Sequence, residues 1–368
     1  MSDALQPPRA NAALLGQAHA ERMLLGSWNS GRLPHAWLIG GPRGIGKATL
    51  AFRFARFVLA QPPGGDGGAT GLFGAAPPPQ SLALGSDHPV FRRVAAGAHA
   101  DLQVLEPGML HPETGRETAE IVVEHVRGAI GFLGMTPAEG GWRVLIVDEA
   151  EAMNRSSENA LLKILEEPHR RSLLMLVSHA PGRLLPTIRS RCRRLDVPAL
   201  DGTIVADLLA RRHPDLGADA RAALAGLARG SIGRALDLVA ADALALYADI
   251  LACAMAQGAG AGAALHGLAD RVGAFGSEGQ GAFRVFCELI DRLTMLCARR
   301  AAGAEVPAAL AEEAEAVPAL TGAGSARRWL AAWDRVRDLA SAADGINLDR
   351  RQTALAALGV LREAAGRG

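Results

Sequence analysis

The chain has 368 residues, 49% of them hydrophobic, and 39 basic groups against 38 acidic ones leave a formal net charge of +1. That length predicts two or three domains with an ample core. The near-neutral balance argues against a protein that coats nucleic acid by overall charge, while local basic patches stay open.

The basic residues are 37 arginines and only two lysines, Lys47 and Lys163, and 73 residues are alanine. Arg-rich or Ala-rich stretches therefore carry little information here, whereas a surviving lysine marks a place where arginine would not serve. The four cysteines form no C-x-x-C pair, which argues against structural zinc and a disulfide framework. The first residues, MSDALQPPRANAALLGQ, carry no charged-then-apolar leader. Asp237, Asp242 and Asp249 interrupt the most apolar stretch, so no membrane span is predicted. A reduced cytoplasmic protein is the expectation.

The first predicted strand, 35–39, runs into Gly40-Gly41-Pro42-Arg43-Gly44-Ile45-Gly46-Lys47-Ala48-Thr49-Leu50. Residues 41–47 fit G-x-x-x-x-G-K: glycines let backbone N–H groups turn toward phosphate oxygens, and the lysine adds a compact charge. A helix predicted from Lys47 to about residue 60 would aim its positive dipole end at the same anion. Ala48 stands where a Ser or Thr hydroxyl would bind Mg²⁺, and Thr49 is about 100° further round the helix. The motif thus supports phosphate binding better than metal-assisted hydrolysis. The bland alternative is a glycine turn without a ligand, but a lysine at the required place is hard to assign to chance in this composition.

Residues 61–86, rich in Gly, Pro and Ala, are expected to form a mobile loop. Further β-type runs lie at 102–105, 144–147, 173–177 and 194–197, several of them continuously apolar as in strands covered on both faces. Helical patterns alternate with them, so a parallel α/β sheet is predicted. The third strand ends in Asp148-Glu149-Ala150-Glu151, where an Asp can hold Mg²⁺ and a Glu can polarise an attacking water. An exposed acidic turn is the plain alternative. The helix that follows presents Leu161, Leu162 and Leu165 as one apolar face and stops at Pro168. After Pro198 no strand is predicted, and apolar spacing of three and four, as at Val205, Leu208 and Leu209, reads as all-helical. Residues 257–262 read as a short connector or helix end. Trp329, Leu330, Trp333 and Val336 form a stripe expected to be core rather than subunit interface.

The order of these elements resembles the AAA+ clamp-loader ATPases of replication, and among them the delta-prime branch of bacterial DNA polymerase III. The resemblance is carried by His35-Ala36-Trp37-Leu38 into the glycine loop, Val147-Asp148-Glu149-Ala150-Glu151, Asn159-Ala160-Leu161-Leu162-Lys163 with Leu165-Glu166-Glu167-Pro168, Thr187-Ile188-Arg189-Ser190-Arg191-Cys192, and Gly230-Ser231-Ile232-Gly233-Arg234. It implies phosphate contacts from Gly41, Gly44, Gly46 and Lys47, acidic roles for Asp148 and Glu149, a first sensor at Ser178 and a second at Arg234. It implies that Arg191 is an arginine finger acting on ATP held by the neighbouring subunit. The implied partners are the tau/gamma and delta subunits, the sliding clamp and, through the complex, primer-template DNA. The chain would be a component of the DNA polymerase III holoenzyme, a DNA-directed DNA polymerase, without independent catalysis.

Two departures sharpen this. The family's four-cysteine zinc module is missing from the Gly/Pro-rich stretch, and Ala48 removes a Mg²⁺ ligand. Both point to a stator rather than a motor, with ATP binding left open and no zinc. The implied layout is a P-loop AAA+ domain over 1–200, a helical lid over 201–241 and an all-α collar over 242–368. The competing readings are an active ATPase motor of tau/gamma type and an unrelated P-loop adaptor. Lys163, mid-helix, is assigned to packing or interface.

Overall fold

In a computed structural model of the chain, the structure describes residues 7–62, 70–71, 74–75, 77–139, 141–257, 260–274, 277–322, 325–346 and 349–366. Contacts divide it into two compact units, Met1–Ile204 and Val205–Gly368; the second holds residues 205–241 of the expected lid and the whole expected collar segment.

The first unit runs α1 (Ala18–Asn29), β1 (Ala36–Gly40), α2 (Lys47–Leu59), the two-residue strands β2 (Thr70–Gly71) and β3 (Gly74–Ala75), α3 (Pro89–Ala95), β4 (Leu102–Leu105), α4 (Val123–Gly134), β5 (Arg143–Val147), α5 (Arg155–Glu166), β6 (Ser172–Ser178), α6 (Pro186–Arg191) and β7 (Arg193–Asp196). Five strands form a parallel sheet in the order β4-β5-β6-β1-β7, while β2 and β3 pair with each other. Each strand of the sheet lies within one residue of its predicted ends. β1, β5 and β6 are buried along their whole length, as continuous apolar runs require.

Side chains alternate across the sheet. Trp37 and Ile39 of β1 join a core with Trp28, Phe54 and Phe57 from α1 and α2. Ala36 and Leu38 join the opposite core with Val126, Leu133, Leu161 and Ile164 from α4 and α5. On α5 the buried set is Leu161, Ile164 and Leu165, with Leu162 only partly covered, so the apolar face is rotated from the expected one. The expected mobile loop is anchored at its far end: Leu82 is fully buried in the first core, and Asn29 Nδ2 donates to the Pro79 carbonyl at 3.0 Å. Residues 63–69, 72–73 and 76 of that stretch lie outside the described residues.

The helices that follow are α7 (Gly202–Arg212), α8 (Ala218–Ala228), α9 (Ile232–Ala240), α10 (Ala243–Met255), α11 (Gly260–Val272), α12 (Ser277–Ala301), α13 (Ala311–Thr321), α14 (Ala326–Ile346) and α15 (Arg350–Ala364). Among the described residues there is no strand in the second unit. On α14, Trp329, Ala332 and Val336 are buried, but Leu330 is 48% exposed because it sits one step off that face. Trp333 is partly buried, and its indole N–H donates to Asp291 Oδ1 at 2.7 Å.

The centre of the second unit holds a buried carboxylate. Glu313 Oε1 accepts from Tyr247 Oη at 2.5 Å and Arg292 Nε at 2.8 Å; Oε2 accepts from Arg292 Nη2 at 2.9 Å and the Ala309 N–H at 2.6 Å. Burial alone would raise the Glu313 pKa, but these donors outweigh it and hold the group below its ordinary value. Burial and the neighbouring Glu313 charge push the Tyr247 phenol upward. Among the described residues, no single helix is long and apolar enough to cross a membrane.

Candidate functional site

β1 delivers the chain into the glycine loop at the sheet edge where the strands end. Gly41 has φ 152°, and a Cβ there would lie 2.1 Å from the Val197 carbonyl oxygen, so only glycine fits. Gly44 and Gly46 are also left-handed, at φ 74° and 94°, and Gly46 is the N-cap of α2. Gln17 fixes the loop against β7: its amide donates to the Ile45 and Pro198 carbonyls, each at 3.2 Å.

Lys47 is 5% exposed, and its Nζ donates to the loop's own Pro42 carbonyl at 2.5 Å. Burial lowers its pKa, against the opposing pull of Asp148 and Glu151. Ala48 is partly exposed in the first turn, while Thr49, one step round, is buried.

The strand order places β6 between β1 and β5, with Gly40 in register with Ser178 and Val147 with Leu176. Lys47, Ser178 and Asp148 therefore follow the ends of three adjacent strands. Burial pushes the Asp148 pKa up, and the hydrogen bond from the Glu149 N–H, at 3.0 Å, only partly offsets it. Glu149 itself takes a left-handed backbone, φ 48°, and its carboxylate pairs with Arg43 Nη2 of the loop at 3.0 Å. The water-polarising position is thus occupied by a side chain already tied to a cation.

Sequence reasoning assigned no role to Glu151, His179 or Gln17. Glu151 Oε1 accepts from the His179 and Ala180 N–H groups at 3.0 and 3.1 Å and lies 2.8 Å from His179 Nδ1. Ser178 adds a side-chain hydrogen bond to it and accepts from the Ala180 N–H at 3.1 Å. Burial alone would raise the Glu151 pKa, but these contacts bring it down. One buried carboxylate therefore fastens the end of β6 to the acidic turn after β5. The partners are separated by 28 residues, and no local pattern announces them.

The asparagine-to-proline helix, α5, is pinned from its start. Asn154 Oδ1 accepts from the Ser157 N–H at 3.0 Å, Ser157 Oγ donates to the Ile121 carbonyl at 2.7 Å, and Glu158 accepts from the Leu185 N–H at 2.9 Å. That last contact sets α6, which carries Arg191. Lys163 is exposed, so packing is not its role. Arg191 is exposed too, with Nη2 2.9 Å from Glu166 Oε1 and Nη1 donating to the Thr187 carbonyl at 3.2 Å.

Arg191 precedes β7, whose last residue, Asp196, is in register with Gly40. Five residues of extended chain span about 15 Å, so Arg191 stands at the opposite end of the sheet from its own glycine loop. Arg234 belongs to the second unit. Ser231 caps α9 by accepting from the Arg234 N–H at 3.1 Å, and Arg234 Nη2 lies 3.2 Å from Glu288 Oε2.

The loop carries groups of the kind a phosphate requires: left-handed backbone at Gly41, Gly44 and Gly46, with the cations Lys47 and Arg43 in the same stretch. The oxygen set for Mg²⁺ is incomplete, with Asp148 present and no hydroxyl at Ala48.

Residues 79–201 match the family described as DNA polymerase III, delta subunit. The chain is 41% identical over 199 residues to DNA polymerase III subunit delta' of Pseudomonas aeruginosa, covering 54% of this chain and 53% of that one. It is 32% identical over 219 residues to the delta' subunit of Escherichia coli, covering 60% and 58%. The DNA polymerase III subunit tau of Escherichia coli is 29% identical over 194 residues, covering 53% of this chain and 26% of that one. The chain spans about half the length of the curated delta' relatives it matches.

Proposed function

We propose that this chain, over its matched half a member of the delta-prime family of DNA polymerase III subunits, helps load a sliding clamp onto primed DNA within the clamp loader. Its part is that of a stator that supplies Arg191 to ATP held by a neighbouring tau/gamma-type subunit, with the delta subunit as a further partner. The observation that carries the reading is the place of Arg191: exposed, and about 15 Å along the strands from its own loop. A guanidinium so placed serves another subunit's phosphate, where a planar, permanently charged fork is well suited. Ala48 supports the same division of labour, since a loop without its Mg²⁺ hydroxyl is poorly equipped to hydrolyse ATP itself.

ATP held here would be bound by Lys47 and the backbone of Gly44 and Gly46, with Asp148 and Ser178 as the remaining candidate contacts in the first unit. When bound, ATP would supply the polyphosphate charge that these donors neutralise. Holding ATP without turning it over would suit a rigid member of the assembly.

The test is a reconstituted clamp loader carrying Arg191→Ala. ATP hydrolysis at the site it serves should fall by about 10³–10⁵, the worth of an arginine finger in well-studied cases, and Arg191→Lys should rescue little of it. Unchanged hydrolysis would remove the reading. A second reading, an ATPase motor, draws on Lys47, Asp148 and Glu149. It predicts turnover by the isolated chain that Lys47→Ala abolishes; the Arg43–Glu149 pair and Ala48 weigh against it.

A further inference from the structure

The end of the sheet where β1, β5 and β6 begin carries an open cavity of 580 Å³, lined by Trp28, Arg32, Leu33, Trp142, Arg170 and Arg171 among others. Trp28 belongs to the last turn of α1, Arg32 and Leu33 lead into β1, Trp142 leads into β5, and Arg170 and Arg171 lead into β6. The glycine loop lies at the other end of the same strands, so this is a separate place.

Three guanidinium groups line the cavity and, among the described residues, no carboxylate does. In so arginine-rich a chain the number alone means little; what distinguishes the site is that Arg32 and Arg170 have no matching acid among the described residues. A second cavity, between α9, α12 and α14, is lined by Arg229, Arg234, Arg284 and Arg337. There Arg234 pairs with Glu288, Arg284 with Asp237, and Arg337 lies 5.3 Å from the Trp333 ring. At the cavity between the strand starts, Arg32 and Arg170 are exposed, and neither side chain has an ion-pair partner among the described residues.

The aromatic part is held in place. Trp28 meets Phe57 edge-on at 5.5 Å, and Trp142 lies 5.9 Å from Trp28 at an angle of 56°, partly exposed in the cavity wall. The rim backbone is fixed in left-handed geometry at Gly31, φ 67°, and Arg171, φ 56°, and the Arg171 carbonyl accepts from the Arg143 N–H at 2.9 Å.

We propose that this cavity binds single-stranded nucleic acid, with one base stacked on Trp142 and the flanking phosphates held by Arg32 and Arg170. Unmatched positive charge recognises a phosphodiester backbone, and an indole beside it gives a base a flat partner irrespective of its identity. The volume suits a single nucleotide unit, which falls in the ordinary range for small ligand sites. An acidic peptide would satisfy the arginines equally but would leave the indole without a stacking partner. The site goes beyond the proposed stator role and depends on neither Arg191 nor the glycine loop.

The test is fluorescence anisotropy of a labelled oligothymidylate titrated with the full chain at several salt concentrations. The wild type should bind, lose affinity as salt rises, and show quenched tryptophan emission. The double variant Arg32→Ala/Arg170→Ala changes only exposed side chains and should melt as the wild type does while binding about tenfold more weakly; Trp142→Leu should also weaken binding about tenfold, and Trp142→Phe should keep most of it. No binding by the wild type, or wild-type affinity in the double variant, would overturn the proposal. Displacement of the strand by a polyglutamate peptide at lower concentration than by unlabelled oligothymidylate would overturn it in favour of an acidic protein partner.

Discussion

Arg43 and Glu149, 106 residues apart, close across the glycine loop: guanidinium Nη2 stands 3.0 Å from carboxylate Oε1. The loop's own arginine thus holds the acidic residue beside the phosphate place, while Lys47 holds the Pro42 carbonyl. The loop satisfies these cations internally, and a phosphate binding as proposed would have to exchange with these contacts.

Glu149→Gln should therefore ease entry. The pair is largely exposed, so its strength is at most about 1 kcal/mol, which limits the gain in ATP affinity to roughly fivefold. Calorimetric titration of the isolated chain reads this directly. A loss of affinity in the variant would show that Glu149 helps to hold the ligand.

Asp148 gives a pH signature. Its folded pKa is raised by burial above the ordinary 3.8, so the folded chain binds the extra proton within the window from 3.8 up to that raised value. Stability contributed by the group falls as pH rises through the window, and the full cost is present above it. Asp148→Asn should therefore stabilise the ligand-free chain at pH 7 by about 0.5–2 kcal/mol. The advantage should shrink as pH falls toward 3.8. Thermal melts across this range check it; a variant less stable than the wild type at pH 7 would contradict the role given to burial.

Gly41→Ala should be among the most damaging changes in the first unit. The added Cβ meets the Val197 backbone oxygen at 2.1 Å and imposes φ 152° on a residue that disfavours it. A destabilisation on the order of 2–3 kcal/mol is expected, together with loss of the ATP binding proposed above. Chemical denaturation should show it as a lower midpoint at unchanged slope.

In the second unit, Glu313→Ala removes the acceptor for Arg292, Tyr247 and the Ala309 N–H together. Leaving a buried guanidinium uncompensated should cost about 3–5 kcal/mol. Tyr247→Phe loses one hydrogen bond and should cost only about 1 kcal/mol. If the two variants melt alike, the carboxylate is not the organising centre.

The sheet was legible because its strands are short, continuously apolar and covered on both faces, which marks them even in an alanine-rich chain. The glycine loop was legible for a local reason: the strand, the glycines and the lysine are contiguous. Harder were properties that depend on what an element meets. Leu82 anchors the end of the Gly/Pro-rich stretch only because the first core offers it a place. Ile164 displaces Leu162 from the buried face of α5 because α4 and α6 set that helix's rotation. The Glu151–His179 tie and the Gln17–Pro198 contact join positions 28 and 181 residues apart, and neither residue type signals such a partner.

A guanidinium at one end of the sheet and the glycine loop at the other give the first unit a direction. A two-fold axis acts reciprocally: it can set each partner's arginine against the other's loop, and the assembly then closes as a pair. A head-to-tail repeat also sets each arginine against a loop, but passes the contact on to the next member. An arrangement of that kind that stops short of closing has two unequal ends: the terminal member at one end offers an arginine with no need of its own loop chemistry. The stator role proposed above would put this chain at such an end, where its loop, with Ala48 in place of a hydroxyl, would need no Mg²⁺ ligand.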